Sequence, residues 1–298
     1  VISASNLLPR ATAGLLRSAL VSLWLGTGCH APRSFLVELD EARETAADLR
    51  VQFTQATDAS NRAVMADTDE ASIAFAHEAQ AATQRVANDQ AALTVLLHGL
   101  NYPKELEALA EFNAGLTAYE KLDREILALA VENTNLKAQR LAFGPGREAA
   151  DAFRAALESS LGEVTPKEQC KAEAIVNGAV LAVREIQVLQ PPHIAEPNDD
   201  AMTRLESEMG ARKTAARAAL GELAALVKPN SPPLAAATAA LDRFDGLGTQ
   251  IVTLSRRNTN VLSLDLALRA KPPLTAACNE GLRHLQDALT AEGSKATR

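Results

Sequence analysis

From Ser34 onward, apolar residues recur at intervals of three and four, and short clusters of helix breakers cut the pattern into runs. The spacing predicts a first helix over about 35–64. Asp67-Thr68-Asp69-Glu70 signals the start of a second, which reaches about His98. Asn101 and Pro103 open a third helix to about Phe143, where Gly144-Pro145-Gly146 stops it. A shorter fourth continues to about Leu161. Thr165-Pro166-Lys167-Glu168 reads as a capping box that opens a fifth helix, halted by Pro191-Pro192 after Leu189. Asn198 caps a sixth, which ends near Val227. Ser231-Pro232 opens a seventh to about Arg269, and Pro272-Pro273 separates it from an eighth that ends near Thr290.

The order long, long, very long, short occurs twice, and the third helices of the two halves align without a gap. Leu109 matches Leu234, Leu116 matches Leu241, Tyr119 matches Phe244 and Ile126 matches Ile251. Asn133-Thr134-Asn135 matches Asn258-Thr259-Asn260, a shift of 125 residues (133 to 258). Four amphipathic helices with short connections close into an antiparallel bundle. The expected fold is all-α: two tandem antiparallel four-helix bundles, residues 29–162 and 163–298, divided near Gly162. An intertwined arrangement, in which helices of one half complete the other, is the alternative.

On the third helix the apolar stripe runs Leu116, Tyr119, Leu122, Ile126, Leu129, and then Asn133 falls on it. Asn258 does the same between Leu254 and Val261. A buried amide without partners costs a few kcal/mol, so each Asn is expected to find one. The structural reading is that the pair fixes helix register. The functional reading is that Asn133, Asn135, Lys137, Arg257, Asn258 and Asn260 line a polar ligand pocket between helices.

Composition narrows the chemistry. The chain has 298 residues, is 47% apolar and only 3% aromatic, and carries a net charge of −7. There is no basic field to exchange for counterions, so nucleic acid is not an expected partner. No Gly-rich phosphate loop follows a strand pattern, and the five His show no ligand spacing for a metal or haem. No enzyme activity, cofactor or metal is expected. Each His is expected at the surface. Cys170 and Cys278 are expected to be inert thiols, with a disulfide between them left open by spacing alone.

Residues 1–28 have a different character. Arg10 and Arg17 precede the apolar run Ala19 to Leu25, and Gly26-Thr27-Gly28 leads into Cys29. This resembles a bacterial lipoprotein signal with Cys29 as the lipidated residue; an ordinary signal or anchor, or a helix of the fold, are the other readings. The run is too short to span a bilayer comfortably. The expectation is a protein of the periplasm or cell envelope, tethered to the membrane only at its N-terminus.

The segments Leu127 to Phe143 and Leu254 to Leu264, each carrying Asn-Thr-Asn, resemble parts of the four-helix-bundle sensory modules of methyl-accepting chemotaxis receptors and related sensor kinases. The resemblance spans roughly residues 35–290 and covers the sensory module alone, without a linker or signalling hairpin. It implies a module outside the inner membrane that dimerises and binds amino acids or organic acids between helices. The expected function is therefore an exported, sensor-like protein that binds a small ligand or a partner between helices, with a homodimer or a membrane receptor as partner. A structural envelope spacer and a truncated chemoreceptor are the alternatives.

Overall fold

The structure is a computed structural model that describes residues 35–296. The expected leader and its Cys29 lie outside the described residues. Within them the fold is all-α, with no strand. Helices α1 (Phe35–Met65) and α2 (Asp69–Leu100) form a hairpin, and α3 (Pro103–Glu132) follows. Helices α6 (Gln169–Ala195), α7 (Asp199–Ala224) and α8 (Pro232–Arg257) repeat that order. The local starts follow from the side chains at the turns. Thr68 Oγ1 accepts the Ala71 N–H at 3.1 Å and Asn198 Oδ1 accepts the Ala201 N–H at 2.9 Å. Ser231 Oγ accepts the Leu234 N–H at 3.2 Å. Asn101 ends α2 in the left-handed conformation, with φ of 54°.

The two expected third helices are both broken at their Asn-Thr-Asn. Asn133 (φ 51°) separates α3 from α4 (Thr134–Leu141), and Asn258 (φ 53°) separates α8 from α9 (Thr259–Asp265). Each short helix then runs on through one wide turn of π type into another long helix. Ala142–Gly146 leads into α5 (Arg147–Ser160), and Leu266–Ala270 leads into α10 (Lys271–Ala296). Gly144-Pro145-Gly146 is therefore not the stop it was expected to be. The wide turn accommodates the missing Pro145 N–H. Gly146 is required there, since a Cβ would lie 2.9 Å from the Leu141 carbonyl oxygen. Pro191-Pro192 is likewise no stop, and α6 continues to Ala195. The expected capping box at Thr165 forms a single turn (Glu168 N–H to Thr165 O, 2.9 Å), and α6 begins after it at Gln169.

Because neither rod, α3 to α5 or α8 to α10, turns back, the bundles exchange helices. The first bundle is α1, α2, α3 and α10; the second is α5, α6, α7 and α8. The expected division near Gly162 is corrected accordingly: residues 29–162 and 163–298 do not each enclose a bundle. Two glycines fit α10 to its place in the first bundle. A Cβ on Gly281 would lie 3.0 Å from Phe112 Cα, and one on Gly115 would lie 3.3 Å from Cys278 Sγ. The first core gathers Phe53, Phe112, Tyr119, Leu282 and Leu285, with Phe53 edge-on to Phe112 at 5.9 Å. The second gathers Phe153, Val176, Leu223, Leu241 and Phe244. Each such side chain contributes about 1.5–3 kcal/mol by leaving water.

The likeness of the halves extends to burial. Ala42, Ala46, Phe53, Ala63 and Val64 on α1 correspond to Ala172, Val176, Val183, His193 and Ile194 on α6, all buried. By the same register, buried Ser60 corresponds to buried Gln190.

Candidate functional site

The two Asn-Thr-Asn turns meet where the rods cross. A left-handed residue frees the next amide groups from their own helix, and each turn supplies what the other lacks. The Thr134 N–H donates to Thr259 Oγ1 at 3.2 Å, and the Thr259 N–H donates to Thr134 Oγ1 at 3.1 Å. The Asn135 N–H donates to Asn260 Oδ1, and the Asn260 N–H to Asn135 Oδ1, both at 3.1 Å. Asn135 Nδ2 donates to Asn258 Oδ1 at 2.7 Å, and Asn260 Nδ2 to Asn133 Oδ1 at 2.8 Å. The pairing is reciprocal about a local twofold.

The symmetry lapses at the outer amides. Asn258 Nδ2 donates to Glu196 O at 2.9 Å, and Asn135 Nδ2 also reaches Ile194 O at 2.6 Å. Asn133 Nδ2 is buried and has no hydrogen-bond partner. Lys137 caps the end of α3, its Nζ donating to Glu132 O at 2.7 Å. Arg257 is exposed and pairs with Glu132 Oε2 at 2.6 Å. All six residues predicted for the site are thus brought to one place, and their polar atoms are largely spent on one another.

Away from the junction the bundles differ. In the first, Lys271 and Asp123 are buried 2.9 Å apart. Ser60 Oγ donates to Asp123 Oδ1 and accepts from Lys271 Nζ at 2.6 Å. Burial lowers the Lys271 ammonium from its usual range, with Asp123 opposing that shift. Burial also raises the neighbouring Tyr119 phenol, and Asp123 adds to the effect. The corresponding residues of the second bundle are Gly248 for Asp123, Gly146 for Lys271 and Gln190 for Ser60. At Gly248 a side chain is missing, and a cavity of about 270 Å³ opens between α6, α7 and α8. Its wall includes Gln190, Ile186, Met209, Phe244, Gly248 and Val252. Gln190 is only 2% exposed, and its amide has no hydrogen-bond partner among the described residues.

Charged groups at the cavity rim are already paired. Asp245 is held by Lys213 at 3.2 Å and by Arg217 Nε at 3.1 Å. Glu206 Oε1 accepts from Arg256 Nε at 2.6 Å and meets His193 Nε2 at 2.8 Å. The Arg256 hydrogen bond, followed by that of His193, holds the Glu206 carboxyl below the usual Glu range. His193 Nδ1 lies 2.9 Å from Ser255 Oγ, whose hydroxyl donates to His193 O.

His193 corrects the expectation that every His lies at the surface, for it is fully buried. The cause is the continuation of α6 through Pro191-Pro192, which turns His193 into the bundle. Sequence reasoning also missed Gln190, Gly248, Lys271 and Asp123. The mismatch of Asp123 with Gly248 in the aligned third helices was the available signal. Both described cysteines are free; Cys170 is exposed on α6 and Cys278 is buried on α10 in the other bundle. Burial pushes the Cys278 thiol up to about 11. No described helix is long and apolar enough to cross a membrane, and no described cluster of His, Cys, Asp and Glu is arranged to hold a metal ion. No protein-family model and no curated protein sequence matches the chain.

Proposed function

We propose that this is a sensor-like binding protein, akin to chemoreceptor sensory modules, that takes a small organic ligand between α6, α7 and α8. The observation that carries the reading is the second-bundle cavity with Gln190, a residue only 2% exposed and without a side-chain hydrogen bond among the described residues, in its wall. Whatever fills the cavity, water or ligand, therefore supplies the donors and acceptors for that amide. In this reading the ligand favours one packing of the second bundle over another, which requires different affinity for the two. Helix α8 ends at the junction and α5 is joined to it through α4 and the wide turn, so a change in their packing bears on the first bundle as well. Export and tethering through Cys29 to the cell envelope, with a homodimer or membrane receptor as partner, belong to the same proposal.

Thermal unfolding of the full chain in the presence of amino acids, organic acids and aromatic acids tests the reading. A true ligand raises the melting temperature saturably by mass action. A spacer shows no saturable shift with any compound. The spacer reading has its own support, because the junction spends its asparagines internally and ties both rods together by reciprocal hydrogen bonds. Mass spectrometry of the mature N-terminus tests the tether: an acylated Cys29 supports it, and an unmodified Cys29 overturns it.

A further inference from the structure

We infer that the second-bundle cavity selects an uncharged ligand: an apolar body, such as a single ring, ending in a group that both donates and accepts a hydrogen bond, as a carboxamide does. This rests on the binding reading above and adds the chemical class. The charged side chains at the rim, Glu206, Lys213 and Asp245, are each engaged by an oppositely charged neighbour at 2.6–3.2 Å. An anion finds no unpaired cation among them, and a cation finds no unpaired carboxylate, so either would have to break an existing pair. The group left over is the Gln190 amide, a donor nitrogen and an acceptor oxygen at the cavity wall with no side-chain hydrogen bond among the described residues. A second amide meets both needs at once. The remaining wall supplies Phe244, Met209 and Val252 for an apolar or aromatic body. Room for that body comes from Gly248, where a Cβ would meet nothing within 4 Å.

The test uses three compounds of one shape, phenylacetamide, phenylacetate and phenethylamine, titrated calorimetrically into the full chain and its variants. Gln190→Met keeps side-chain volume and removes the amide; Gly248→Leu fills the cavity and leaves Gln190 in place. Circular dichroism checks that each variant is folded. Phenylacetamide is expected to bind about tenfold tighter than either ion. Gln190→Met is expected to erase that preference, and Gly248→Leu to abolish binding of the amide. Equal or tighter binding of an ion, or an undiminished amide preference in folded Gln190→Met, overturns the ligand class while between-helix binding stands. Failure of all three compounds to bind also overturns the class. Between-helix binding itself falls only if the wider thermal screen finds no ligand either.

Discussion

The two bundles share a helix plan and differ in what fills the same level of the core. The first places Asp123, Lys271 and Ser60 there, and the second leaves Gly248 and Gly146 with Gln190. An ion pair in a dry interior is tolerable only while both members are present. A helical glycine such as Gly248 trades stability for space. One bundle is therefore locked by charge at the level where the other is open. The first bundle is braced at this level, and the second has there the space that the proposed ligand would occupy.

The largest expected effect comes from breaking the lock. Asp123→Ala strands the Lys271 ammonium and should cost about 3–5 kcal/mol in urea unfolding. The double replacement Asp123→Leu with Lys271→Met should restore most of that loss. A cost for Asp123→Ala below about 1 kcal/mol would mean that the pair does not brace the bundle.

Next come the junction asparagines. Asn133→Leu forces a branched side chain into the left-handed region and leaves the Asn260 amide unpaired, at a cost of about 2–4 kcal/mol. Asn133→Gly keeps the backbone and should cost only about 1 kcal/mol. Asn258→Gly should be the costlier of the two glycine changes, since Asn258 both accepts from Asn135 and donates to Glu196. Equal losses at 133 and 258 would erase the asymmetry between the halves.

A smaller effect concerns acid. Glu206 has a folded-state pKa below its unfolded value, with Arg256 the main cause. Its contribution is complete above the unfolded Glu value of about 4.3 and disappears as pH falls through the lower folded value. Glu206→Gln should therefore flatten the acid limb of a stability–pH profile. An identical acid limb in that variant would show that the Glu206 network does not hold the second bundle.

The smallest effect has the opposite sign. Gly248→Ala should raise stability by about 0.5–1 kcal/mol, because helical glycine is costly and the new Cβ meets no neighbour. A loss of stability on that change would show that the space at Gly248 is not free.

Much of the local architecture was legible. Thr68, Asn198 and Ser231 cap helices where their short polar side chains predict, and the all-α class follows from spacing. The asparagine repeat was also visible, but its role was not. Apolar periodicity runs through Asn133 and Asn258 because the segments on both sides pack inward, so a single left-handed residue leaves the pattern intact. The exchange of α5 and α10 was one of two arrangements open to the sequence. It depends on whether Gly144-Pro145-Gly146 folds back or carries on, and a wide turn lets it carry on. His193 was hidden by the same error at Pro191-Pro192. Gln190 and Gly248 are unremarkable residue types, and their meaning emerges only when the halves are compared for differences.

The crossing of the rods also sets the order in which the protein is completed during synthesis. The second bundle has all four of its helices once α8 is made. The first, though begun earlier, waits for α10 with the apolar groove of α1, α2 and α3 uncovered. The older half of the nascent chain is thus the last to close, and any stall between the two leaves a sticky, three-helix intermediate on the ribosome.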